Sequence, residues 1–103
     1  MQIKPEESQK LNKSMKILSD YWCLQIIELL KENSSGFNDI QRKLEDISPT
    51  TLSNRLKKLT EINMLEKSLP NQKNNYGIYN LTELGRKVLP IIDQINKFIE
   101  EEK

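Results

Sequence analysis

The sequence predicts a mainly α chain carrying one small β-hairpin, an α+β winged helix-turn-helix in a single domain over residues 1–103. Three observations predict it. Residues Phe37 to Lys58 read as two short helices joined by a tight turn, the second opened by Ser48-Pro49. After Asn63 the apolar period changes from helical to two, the mark of strands. The chain then closes on a helix whose apolar surface is wider than one small domain covers.

Taken in order, Pro5-Glu6-Glu7 fits a helix start, with proline in the first turn and acids near the positive end of the dipole. Leu11, Met15 and Leu18 recur at helical spacing, and Trp22 continues the stripe. Ser19-Asp20 interrupts, and Asp20 can cap a second helix from Tyr21 to about Glu32. That helix is apolar nearly all round and therefore central. Trp22 reads as a core anchor, with ligand stacking as the alternative. Asn33 to Gly36 reads as a loop and helix stop. In the next helix Asn38 is the expected cap, and Phe37, Ile40 and Leu44 share one face. Glu45-Asp46-Ile47 forms the turn, with Ile47 plugging the angle between helices.

Ser48 caps the following helix, and Pro49 suits its first position because that amide would be unbonded anyway. The helix runs to about Ile62, so the helix-turn-helix spans 37–62. Leu52, Leu56 and Leu59 fall on one side, and Thr51, Asn54, Arg55 and Lys58 on another. Thr50 and Ser53 lie at the N-terminal end, where recognition helices meet base edges. No acidic residue stands between Ser48 and Thr60, whereas a solvated helix face mixes signs. One face anchors the helix and the other is equipped to read a groove of duplex DNA.

The wing is expected over 64–81. Met64 to Leu69 reads as one strand, Pro70 to Asn75 as a turn and Tyr76 to Leu81 as the returning strand. Its tip offers Lys73, Asn74 and Asn75 for phosphate or minor-groove contact; an inert tip is the alternative. Thr82 caps the last helix, expected over 83–100 with a bend near Lys87 to Leu89 ahead of Pro90. Its apolar side, with that of the first helix, reads as a dimer interface of Leu11, Met15, Leu18, Ile91, Ile92, Ile95, Phe98 and Ile99.

Composition excludes several functions. The absence of histidine removes the commonest general base and metal ligand. With one cysteine, Cys23, there is no disulfide scaffold and no soft-metal site. Cys23 stands inside the apolar second helix and reads as a buried small residue rather than a sensor thiol. No Gly-rich phosphate loop is present, so an enzyme is not expected, nor is a cofactor. No apolar signal core or membrane-spanning run occurs, so a cytoplasmic protein without membrane contact is expected. Net charge is only +1. Cations gather in the middle, at Arg55, Lys57, Lys58, Lys67 and Lys73, and the tail ends Glu100-Glu101-Glu102. Charge alone does not decide between a polyanion partner and an ordinary surface.

Two stretches carry a resemblance. They are I-S-P-T-T-L-S-N-R-L-K-K-L (Ile47 to Leu59) and Y-N-L-T-E-L-G-R-K-V-L-P-I (Tyr79 to Ile91). With Trp22 and F-N-D-I-Q-R-K-L before them, the chain from about Leu11 to Phe98 resembles the HxlR-type winged helix-turn-helix regulators, close to the MarR proteins. The resemblance implies a homodimeric transcriptional regulator, paired through its terminal helices, on a pseudo-palindromic operator. It also implies repression more often than activation. By match, Thr50, Thr51, Asn54, Arg55 and Lys58 take the DNA-contacting role, with Lys73, Asn74 and Asn75 as the wing tip. Lys57 adds a phosphate contact. A small-molecule effector would act by changing the distance between recognition helices. The chain departs from the family at three places. Gly36 stands where a basic residue often precedes the phenylalanine, Asp20-Tyr21 replaces a glycine-lysine pair before the tryptophan, and no cysteine lies near the N-terminus. The rival reading is a winged helix that serves as a protein-interaction module without DNA binding.

Overall fold

The computed structural model describes residues 12, 15–68 and 77–101. The expectations on Pro5 to Glu7, Leu11, Leu69 and the wing tip Lys73, Asn74 and Asn75 lie outside the described residues, as does Tyr76. Residues 15–18 are helical, and the chain breaks at Ser19-Asp20 as expected. Helix α1 (Tyr21–Leu29) starts where the Cys23 amide donates to the Asp20 carboxylate at 2.9 Å. It ends short of Glu32. The Leu30 amide splits between the carbonyls of Ile26 and Ile27, tightening the last turn. The Arg86 guanidinium then takes the Lys31 carbonyl at 3.1 Å.

The expected loop at Ser35-Gly36 is instead a short strand, β1 (Ser35–Gly36). Two residues are too few to show a period; the strand exists because β3 pairs with it. Helix α2 (Phe37–Leu44) rises directly from it, so its cap is Gly36 in extended conformation and not Asn38, which falls inside the first turn. Glu45 ends α2 with φ 55°. Ile47 is buried at 3% exposure and fills the corner between helices. Helix α3 (Pro49–Glu61) has the predicted cap, the Ser48 hydroxyl accepting from the Thr51 amide at 3.1 Å. At its far end Asn63, with φ 65°, turns the chain into β2 (Leu65–Ser68).

β3 (Ile78–Leu81) is the centre of a three-stranded antiparallel sheet in the order β1-β3-β2. Leu65 faces Leu81, Lys67 faces Tyr79, and Ser35 pairs with Tyr79 on the other side. The Thr82 hydroxyl caps α4 (Glu83–Arg86) through the Gly85 amide at 3.0 Å and donates to the Asn63 carbonyl. Gly85 lies against the Met64 carbonyl so closely that a Cβ would collide with it. The expected bend in the last helix is a full break. The amides of Lys87 and Val88 bond three residues back, to Leu84 and Gly85. Pro90 has no amide to offer Arg86, and α5 (Leu89–Glu101) begins anew.

One core joins these parts. Ile26 and Ile27 of α1 and Leu30 just after it meet Ile40 of α2, Leu52, Leu56 and Leu59 of α3, and Leu65 of β2, each at 1% exposure or less. Trp22 packs at its margin, partly buried. Ile92 belongs to this core at 8% exposure, so of the residues expected at a dimer interface it faces inward. Leu18 is partly buried against the core, while Met15, Ile91, Ile95, Phe98 and Ile99 are exposed. Among the described residues, no helix is long and apolar enough to cross a membrane.

Candidate nucleic-acid interface

Three leucines of α3 point inward, so the opposite side of the helix must point out. That outward stripe is Thr50, Ser53, Asn54 and Lys57, all exposed. Its spacing of three, one and three continues to the exposed Glu61, the first acid on the helix. The stripe differs from the face expected from sequence. Thr51, Arg55 and Lys58 are only partly exposed and form a flank of the helix. Each of the three precedes a buried leucine by one residue and so lies about 100° from it around the helix, beside the buried side rather than opposite it.

Thr51 is shaded by its cap, since its hydroxyl accepts from the Ser48 hydroxyl at 2.9 Å. Arg55 is held by Asp20: Nε donates to Oδ2 at 2.9 Å. Desolvation raises the Asp20 carboxyl, but the bonds from the Cys23 amide and Arg55 outweigh it and hold the group below its ordinary range. The same corner settles the state of Cys23. Burial, then the Asp20 charge, pushes its thiol up to about 12. A fully buried thiol raised this far stays protonated at neutral pH.

Sequence reading missed Lys67. It stands two residues after the buried Leu65, on the face of β2 that meets α3, with its ammonium 5.6 Å from the Tyr79 ring centre. Ser53, Lys57, Thr60 and Glu61 of α3 and Lys67 and Tyr79 of the wing line one open groove between helix and sheet, so one acid shares it with the two lysines. The period-two register was the available signal, because it puts Lys67 on the helix side. Asp20 as the partner of Arg55 had no such signal, being 35 residues away. Helix α2 adds Arg42 and Lys43, both paired with Asp39. Glu45 and Asp46 are exposed in the turn that follows. Among the described residues there is no cluster of metal-ligating side chains.

A cationic and amide-bearing helix stripe, beside a wing that adds a second lysine, can contact phosphates and base edges together. Comparison with known proteins identifies the family and the fold. Residues 17–103 match the model of a family described as HxlR-like helix-turn-helix. The HTH-type transcriptional regulator YvaP of Bacillus subtilis strain 168 is 29% identical over 96 residues, 93% of this chain and 89% of that protein. A MarR-family transcriptional regulator from Porphyromonas gingivalis W83 is 34% identical over the full length of both chains, with a TM-score of 0.80. Quinone-bound YodB from B. subtilis shares the fold at 24% identity, covering 90% of this chain and 98% of that one with a TM-score of 0.78.

Proposed function

The chain belongs to the HxlR-like helix-turn-helix family and is a transcriptional regulator of the helix-turn-helix class, and from that premise we propose how it engages DNA. The family and these relatives are regulators, not enzymes. Two copies pair through α5 and the helical segment at Met15 and Leu18. Each sets α3 into a major groove of a pseudo-palindromic operator, with half-sites about 34 Å apart or a multiple of that. Thr50, Ser53, Asn54 and Lys57 meet the groove directly, Asn54 suiting adenine and a threonine methyl suiting thymine. Thr51, Arg55 and Lys58 complete the contact from the flank. Lys67, then Lys73, Asn74 and Asn75 of the wing, take the adjoining backbone. Occupancy blocks a promoter, which makes the protein a repressor. A small-molecule effector regulates it by shifting α5 on the domain and so the span between the two recognition helices.

The single observation that carries this reading is the outward stripe of α3: four exposed polar or cationic residues, with no acid before Glu61, above three buried leucines. The surface of α5 supports the pairing. Ile91, Ile95 and Phe98 repeat at steps of four and three, and together with Ile99 they are 42–62% exposed. Among the described residues nothing covers that stripe.

The test is binding to duplex DNA at two salt concentrations, followed by selection from random duplexes. The expected result is affinity that falls steeply as salt rises, and recovery of a palindrome. Undetectable binding at low salt, or binding indifferent to salt, would instead favour a winged helix that recognises a protein.

A further inference from the structure

The Asp20 carboxylate is used twice. Oδ1 accepts from the Cys23 amide and so caps α1; Oδ2 accepts from Arg55 Nε and so ties α3 to the same point. The side chains are 19% exposed for Asp20 and 31% for Arg55. The carboxylate is therefore the inner member of the pair and the guanidinium the outer. Only Nε is used in this bond. Among the described residues the terminal nitrogens Nη1 and Nη2 donate no hydrogen bond to the protein. Those two form the edge with which a guanidinium grips a pair of acceptors. An arginine loses much rotamer freedom when it binds, and a carboxylate that has already oriented it removes part of that cost.

We propose that Asp20 is a positioning residue for DNA contact: by holding Nε of Arg55 it presents the Nη1–Nη2 edge, in one orientation, to a pair of acceptors on DNA seated against α3. The acceptors are O6 and N7 of a guanine or two oxygens of a phosphate. This rests on the DNA-binding reading above. Lys58 lies one turn further along the same flank of α3 and also acts on the Cys23 thiol through its charge. Asp20 bonds Arg55 alone of the two cations on that flank.

The experiment compares the full-length chain with Asp20→Ser, Arg55→Ala and the double variant on a selected operator. Serine keeps the capping oxygen for Cys23 but cannot reach Arg55. The expected result is operator binding weakened about tenfold in Asp20→Ser, and no further loss when Asp20→Ser is added to Arg55→Ala. If the edge reads a guanine, the loss is confined to operators carrying that base pair. If it grips a phosphate, the loss is uniform and the salt slope falls by about one contact. A cap working only through α1 stability would move neither quantity and would act equally in the Arg55→Ala background, which overturns the proposal. Binding equal to or tighter than that of the parent also overturns it, the tighter case making Asp20 a competitor of DNA for Arg55. Asp20→Asn, nearly the same shape, repeats the comparison should the serine variant fold poorly. A parent chain that binds no duplex at low salt defeats the DNA-binding reading itself, before any variant is compared.

Discussion

Helices α3 and α5 are the same length, 13 residues each, and face opposite situations. Helix α3 buries all three of its leucines at 1% exposure or less and turns only polar side chains outward. Ser48 caps it, Asp20 holds its flank through Arg55, and the wing lies along it. Helix α5 buries Ile92 and leaves four large apolar side chains exposed. The first helix is therefore complete within one chain, and its orientation is a property of the subunit. The second keeps an apolar stripe that the other described residues leave exposed. On the pairing proposed above, the seam would set the spacing and the subunit the reading.

The sharpest way to break this contrast is to remove an anchor from α3. Leu56→Ala should cost about 2–5 kcal/mol, since a deleted core leucine loses transfer energy and leaves a cavity. Urea unfolding measures it, and a loss below about 1 kcal/mol would mean the site collapses easily and α3 is less tightly held than its burial indicates.

The next largest effect belongs to the seam. Phe98→Glu puts a charge on the most exposed apolar residue of α5. It should weaken self-association by about 2 kcal/mol or more, as loss of an interface hot spot does. Helicity and the unfolding of the subunit should change little, because Phe98 supports nothing in the core. Sedimentation reads the outcome, and a variant that remains fully dimeric would move the seam elsewhere on the molecule.

Much of this architecture was legible in sequence, and the parts that were not share a cause. Ser48, Asp20 and Thr82 were readable as caps because a cap acts within three residues of chain. The turn at Ile47 and the buried side of α3 were readable from helical period. The strand at Ser35-Gly36 was not, because only its pairing with β3 makes it a strand, and the cap of α2 moved from Asn38 to Gly36 with it. Ile92 was grouped with Ile91 by adjacency, but neighbours on a helix are turned about 100° apart, so one enters the core and the other leaves it. The outward stripe differs from the expected face for a similar reason. Thr51, Arg55 and Lys58 each precede a buried leucine, so they lie about 100° from it, on the flank rather than opposite.

A smaller effect tests the cap at the reading end. Ser48→Ala should cost about 1 kcal/mol, the usual worth of a serine cap. It leaves the Thr51 amide without a side-chain acceptor and the Thr51 hydroxyl without its donor. Thermal unfolding reads the stability, and operator affinity shows whether fraying of the first turn reaches Thr50 and Thr51. Lost stability with unchanged affinity would place the DNA contact further along α3, at Asn54 and Lys57.

The smallest expected effect is the contribution of the Asp20 charge, and pH isolates it. Burial raises this carboxyl, yet the Cys23 amide and Arg55 together leave it below its ordinary range in the folded chain. A depressed folded value means the unfolded state binds more protons in the acid range, so stability rises with pH there. The contribution is fully present above the unfolded carboxyl range, near about 3.9, and is lost as pH falls through the folded value. Asp20→Ser retains a cap and removes the titrating group. The gap in unfolding free energy between parent and variant should therefore be constant from about pH 7 to about pH 5 and shrink below about pH 4. Partial exposure of Arg55 keeps the gap modest. A gap that stays the same down to the acid limb would show that neither the Cys23 amide nor Arg55 adds to the stability of the subunit through the Asp20 charge.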